Sequence, residues 1–268
     1  MLFNMKQRIA INFNAYWYPL LSLVQRDFKV RYSSTVFDIG WVIIKPLIFI
    51  SLYTLVFSII LKVKVGPNDG HGDFVLFLLS GYFPFMASAE GIQRGSRSLI
   101  DNRGLLKKVI FPAEVLPVVG VVSATVTEFI GMGLLLGFAV ASGAPLSGWL
   151  LLLPLVVLLQ VIMTVGLAWL LSVLTVFLTD LGEALGLMIT GWLFLTPIFY
   201  PVDSIPPDLL LFFKLNPMFH FVAAYRAIIL QAHAPWPELP VAGLFAFGLS
   251  LIGFWFFRKT IDRAKNFI

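Results

Sequence analysis

The sequence predicts an all-α integral membrane protein with six transmembrane helices, and three observations carry that class. The first is composition: of 268 residues, 59% are hydrophobic and only 12% charged, with a mean hydropathy of +0.92, far from the usual make-up of soluble domains. The second is run length. A helix needs about 20 predominantly apolar residues to cross a ~30 Å hydrocarbon core, where unpaired backbone groups are not tolerated, and such runs recur along this chain. The third is the clustering of Lys and Arg into three segments that fall on one side of the predicted spans.

The spans fall at 39–61, 74–92, 113–140, 149–178, 184–202 and 239–257, and one membrane domain accounts for residues 1–268. The first is broken only by Lys45. The second is uncharged as far as Ala89 but holds Gly81 and Pro84; the apolar run of the third is interrupted only by Glu128. Six Lys and Arg precede or open the first span, five lie between Arg94 and Lys108, and four follow Phe257; the opposite side holds Lys62, Lys64, Lys214 and Arg226. That asymmetry predicts a multi-pass protein with both termini in the cytoplasm. The net charge of +5 is thereby explained as topology, with no call for nucleic acid. Residues 1–15 lack the apolar core of a cleavable signal, so the first span is expected to target the membrane itself.

Ahead of the first span, 19–34 places Leu20, Val24, Phe28 and Tyr32 at i+4 steps, with Arg26, Lys29 and Ser33 on another side. This predicts an amphipathic interface helix whose cations reach headgroup phosphates, against the alternative of an ordinary packed helix. Between spans two and three, 94–111 mixes Arg97, Arg103, Lys107 and Lys108 with Leu99, Ile100, Leu105, Leu106 and Ile110. Gly104 is expected to interrupt helical continuity and Phe111-Pro112 to end it, giving one or two short helices across the cytoplasmic face. Apolar knobs with cationic rims suit a docking surface for a soluble partner; a snorkelling basic loop is the other reading. The stretch 203–237 is too apolar for an aqueous loop and too broken by Pro206, Pro207, Asn216 and Pro217 for a span. Two short helices dipping into the outer half of the membrane fit it, or a hairpin lying on the surface.

Catalytic chemistry is thinly represented. His71, His220 and His233 have no metal-ligand spacing, cysteine is absent, and neither a GxSxG elbow nor a GxxxxGK[ST] phosphate loop occurs, so no catalytic or metal site is expected. Glu128 is expected to pair with a polar group or cation at a helix interface or to stay protonated, with direct transport chemistry as the alternative. Aromatic residues make up 15% of the chain, and rings inside spans, such as Phe49, Tyr53, Phe57, Tyr82, Phe83, Trp192, Phe199 and Tyr200, can pack on neighbours or offer flat faces to a sugar.

Several stretches carry a resemblance: RDFKVRYSSTVFDIGWVIIKPLIFISLYTLVFS (26–58), LLKKVIFPAEVLP (105–117), FLTDLGEALGLMITGWLFLTPIFYPVDSIPP (177–207) and LNPM (215–218). In order and spacing they resemble the ABC-2 type permeases that export polysaccharides: O-antigen, capsule and teichoic acid transporters. The resemblance implies a bacterial inner-membrane homodimer around a continuous channel for undecaprenyl-linked polysaccharide, most of all O-antigen. It implies two separate nucleotide-binding ABC subunits that hold ATP and Mg, with no cofactor in this chain. It makes 94–111 a coupling helix, joined by Asp180 and Glu183 in a second, shorter contact, and 203–237 a pair of re-entrant gate helices. The aromatic residues named above would line the polymer path, and Arg26, Lys29, Arg31 and Lys45 would meet lipid pyrophosphate at its entrance. Lys45 before Pro46 departs from the apolar or aromatic residue the family leads one to expect; snorkelling to the cytoplasmic surface is the preferred account of it over a contact with lipid pyrophosphate. Two competing readings remain: an ABC-2 exporter of small hydrophobic compounds, and an intramembrane lipid- or sugar-modifying enzyme.

Overall fold

A computed structural model describes residues 17–31, 37, 40–62, 73–108, 111–143, 147–178 and 180–267, and these are helical with no strand among them. Tyr32, Ser33, His71 and Ile110, and the side chain of Lys108, lie outside the described residues. Among the described residues ten α-helices follow in order. Helix α1 spans 17–31 and α2 Trp41–Tyr53, continued by a π-helical stretch Thr54–Ile60. Then come α3 (Asp73–Asp101), α4 (Arg103–Lys108), α5 (Val115–Ala141) and α6 (Leu153–Phe177), the last preceded by a 3-10 turn Gly148–Leu152. Helices α7 (Leu181–Phe194), α8 (Pro207–Lys214), α9 (Pro217–Ile229) and α10 (Glu238–Phe267) complete the fold.

Five of these, counting α2 with its π-helical end, are long and apolar enough to cross a membrane. The predicted run 184–202 is the exception. Its helix α7 has 14 residues, about 21 Å at 1.5 Å per residue, and turns occupy 195–200. The reason is local: Pro197 has no N–H to give a helix and disfavours helical geometry at Thr196, so an apolar stretch of span length ends early. The other departure is at the charged island. Residues 94–101 continue α3 without a break, the chain kinks at Asn102, and Gly104 sits inside α4. Asn102 ends α3 by donating its side-chain amide to the Ser98 carbonyl, 2.9 Å away. The last helix likewise runs ten residues past the predicted span end, carrying Arg258, Lys259, Arg263 and Lys265.

Helix α3 is the hub. Of its most apolar window, 83% is buried, against 17% for α2 and 22% for α10. It packs chiefly on α5 and α6, while α6 packs on α10 along its length. Small residues permit that last approach: a Cβ on Gly166 would lie 2.6 Å from the Leu249 carbonyl oxygen, and one on Gly253 would run into the backbone of Gly166. After α5, Gly143 takes φ +80°, the left-handed geometry that ends many helices. Helices α8 and α9, the two short helices expected in 203–237, differ sharply. No residue of α8 is buried, whereas ten of the 13 residues of α9 are.

Candidate functional site

At one end of the bundle, the charged island divides into an outer face and a foundation. Arg97, Asp101, Arg103 and Lys107 are exposed; Ile100, Leu105 and Leu106 are half-buried; Leu99 is fully buried against Leu116, Val173 and Phe257. Leu99 therefore supports this face from beneath. Asp180 and Glu183 stand beside it: Arg97 Nη1 lies 3.7 Å from Glu183 Oε1, with both side chains exposed, so α3 and the start of α7 present one continuous charged surface. The pair itself contributes little stability, because both groups remain solvated.

The cations expected at a phosphate entrance are partly committed elsewhere. Arg31 pairs with Asp27 at 3.3 Å and Glu90 at 2.8 Å. Arg94 pairs with the same two acids, closing a four-residue network that clamps α1 onto α3. Arg26 donates to the neutral Asn102 side chain at 3.0 Å, and Lys29 and Lys45 are exposed. Between α1, α3 and α5 lies a cavity of about 530 Å³, lined in part by Arg26, Asp27, Arg94, Arg97 and Asp101. Sequence reading missed Asp27, Glu90 and Arg94 as a set, because Asp27 lies more than 60 residues before the other two and only the tertiary fold joins them.

The predicted channel aromatics fall into groups. Phe49, Tyr53 and Phe57 stack along α2 with centroids 6.2 and 5.8 Å apart, and Tyr82 of α3 leans on the first two at 5.6 and 6.0 Å. This ladder is a single half-exposed wall. Phe83 is 6.3 Å from Tyr82 but buried, its ring facing Gly131 of α5. Trp192 packs edge-on against Phe85 at 5.2 Å and donates its indole N–H to Asn216 at 2.7 Å. Phe199 contacts Phe194 at 6.0 Å, and Tyr200 donates to the Phe194 carbonyl at 2.6 Å.

Two consecutive residues of α9 anchor it in the core. Arg226, expected as an outward-facing cation, is 6% exposed; it donates to the carbonyls of Pro197 at 2.6 Å, Ile198 at 2.9 Å and Phe77 at 3.3 Å, and sits 3.6 Å over the Phe77 ring. These carbonyls satisfy a cation that would otherwise be stranded, and the turn after α7 has its own buried acceptors satisfied in return. Tyr225 Oη lies 2.9 Å from Glu128 Oε1 on α5 and 2.8 Å from Gln160 Oε1 on α6. Glu128 does meet polar partners at a helix interface. Its lone position in an apolar run was the signal; Tyr225 and Gln160 gave none, since an isolated Tyr or Gln in such runs has no periodicity to mark it.

Five helices of membrane-spanning length and apolarity among the described residues mark a multi-pass membrane protein. The chain belongs to the ABC-2 type transporter family, whose model matches residues 18–230. It is similar to the O-antigen export system permease protein RfbA of Myxococcus xanthus, 31% identical over 235 residues that cover 87% of this chain and 88% of the relative. A Klebsiella pneumoniae protein of the same name is 29% identical over 241 residues, covering 90% and 91% of the two chains.

Proposed function

We propose that this chain is the transmembrane subunit of an ATP-driven exporter that carries lipid-linked polysaccharide, O-antigen in particular, from the cytoplasm across the inner membrane. The observation that carries the reading is near-full-length similarity to permeases named for O-antigen export. The ladder of Phe49, Tyr53, Phe57 and Tyr82 supports it, because flat rings stack on sugar faces while the tyrosine hydroxyls reach their hydroxyls. Two copies form the channel, with α2 and its π-helical end along the polymer path. Helix α7 and the turns to Val202 complete a sixth crossing, and α8 with α9 form the outer gate. The termini and the island lie in the cytoplasm.

In this scheme ATP and Mg belong to two separate ABC subunits, and this chain supplies no catalysis. Those subunits dock on the face of Arg97, Ile100, Arg103, Leu105, Leu106 and Lys107, extended by Asp180 and Glu183. Helix α3 runs from the island to the aromatic wall with Pro84 inside it, so a displacement of Arg97 is passed to Tyr82 along one continuous helix. Arg26 and Lys29, which keep exposed guanidinium and ammonium groups at the cytoplasmic interface, meet the lipid pyrophosphate as the chain enters.

The test is co-purification of the tagged chain with a nucleotide-binding ABC subunit encoded in its own genome, for wild type and for Arg97→Glu with Arg103→Glu. These exposed residues can be reversed without disturbing the core, unlike Leu106, which packs against it. A complex that forms with wild type and falls apart with the double variant, together with loss of surface O-antigen in cells, supports the reading. Intact surface glycan alongside sensitivity to hydrophobic compounds would replace polysaccharide with a small-molecule cargo.

A further inference from the structure

The buried cluster of Glu128, Gln160 and Tyr225 plays no part in the transport scheme above, and it closes with only one placement of protons. The Gln160 side-chain nitrogen lies 3.1 Å from the Pro84 carbonyl oxygen and 2.9 Å from Glu128 Oε2. A backbone carbonyl only accepts, which fixes the orientation of the Gln160 amide: its nitrogen faces Pro84, and its two hydrogens go to Pro84 O and Glu128 Oε2. The amide oxygen then faces Tyr225 Oη at 2.8 Å, and as a pure acceptor it takes the single phenolic proton. Tyr225 Oη still lies 2.9 Å from Glu128 Oε1 with no proton left to give. Two oxygens at that separation share a hydrogen, and the only group able to hold it is the carboxyl.

We propose that Glu128 is a neutral carboxylic acid that donates to Tyr225, closing a ring of three hydrogen bonds across α5, α6 and α9. Each member gives and receives once within the ring, so no lone pair faces another in an apolar interior. An ionised Glu128 would leave one pair of oxygens in contact without a hydrogen, in a place where an uncompensated charge is costly. The acid is thus a positioning residue: through Tyr225 it sets where α9 stands against α5 and α6, while Arg226 sets the other side. It is a fastener with its proton built in, and it offers no free carboxylate to an ion or proton crossing the membrane.

Infrared difference spectra of the full chain in lipid at neutral pH, wild type minus Glu128→Gln, read the proton directly. Loss of a carboxylic-acid carbonyl stretch is expected, with the carboxylate bands unchanged; loss of carboxylate intensity instead would overturn the proposal. A second readout is rescue. In Glu128→Gln an amide N–H replaces the acid O–H toward Tyr225 and the amide oxygen still accepts from Gln160, so the variant should melt as wild type does. Glu128→Asp, one methylene short of both partners, should melt lower. A Gln variant as unstable as the Asp variant would equally overturn the neutral ring.

Discussion

Replacing Arg226 with leucine removes the clamp that holds the turn after α7, and the structure sets the size of the effect. The carbonyls of Pro197 and Ile198 accept from Arg226 and from no other donor among the described hydrogen bonds. Each buried acceptor left unpaired costs about 1–3 kcal/mol. Loss of the cation stacked 3.6 Å over Phe77 adds about 2 kcal/mol in a desolvated site. Leucine in turn avoids the desolvation of a buried guanidinium, worth several kcal/mol, which leaves a net local loss of roughly 2–4 kcal/mol. The chain has no cysteine, so a single Cys introduced at the fully buried Ile198 reports opening of this turn without background. If labelling proceeds through local opening, Arg226→Leu should accelerate it about 30- to 900-fold. A change below about threefold would refute the argument that these carbonyls depend on Arg226.

Other expectations follow from the same geometry. Asn216 caps α9 through Met218 N at 3.0 Å and receives the Trp192 indole N–H, so Asn216→Ala should cost about 2 kcal/mol, read as a lowered Tm in detergent. Gly166→Val should abolish a monodisperse folded peak in size-exclusion chromatography, because its side chain would collide with the α10 backbone at Leu249 and Ser250. Asp27→Ala removes one of the two acids that Arg31 and Arg94 share and should loosen α1 by about 1 kcal/mol, seen as faster proteolysis near residues 17–31, the difference from wild type shrinking as salt is raised. Tyr53→Ala should cut surface polymer in complemented cells more than Tyr53→Phe, which keeps the stacking ring between Phe49 and Phe57.

Run lengths and charge placement made most of the helical frame legible, because hydrocarbon thickness and the cost of buried charge act on sequence directly. Helix α2 with its π-helical end, α5, and α6 with the 3-10 turn before it begin and end within a few residues of the expected bounds. The frame misled where apolarity and helicity part company: 184–202 is apolar throughout, yet one proline at 197 cuts its helix short. It misled again at Arg94–Asp101, expected in separate short helices but found as the continuation of α3, where the small residues Gly95, Ser96 and Ser98 face the core while the charged ones face out. The site was readable only in its exposed parts. Arg226 looked like one more flanking cation, since nothing in its neighbours announces three carbonyls contributed by residues about 30 and 149 positions away. Of the aromatics chosen, those at i+4 spacing on α2 do form one wall, while Phe83 turns away because Tyr82 and Phe83 are adjacent and must point to different sides of α3.

The uneven covering of the helices reaches beyond shape. Most of the apolar surface of α2 is left uncovered by the other described residues. Whatever lies against it, acyl chains or a second copy, contributes to holding α2 in place, so the persistence of the folded subunit is a property shared with its surroundings. If a second copy is the neighbour, mass action applies in two dimensions: a sparse population is less stable than a crowded one. Level of synthesis then becomes a determinant of lifetime, and a subunit made in excess or alone will not age at the same rate as one made in step with its companions.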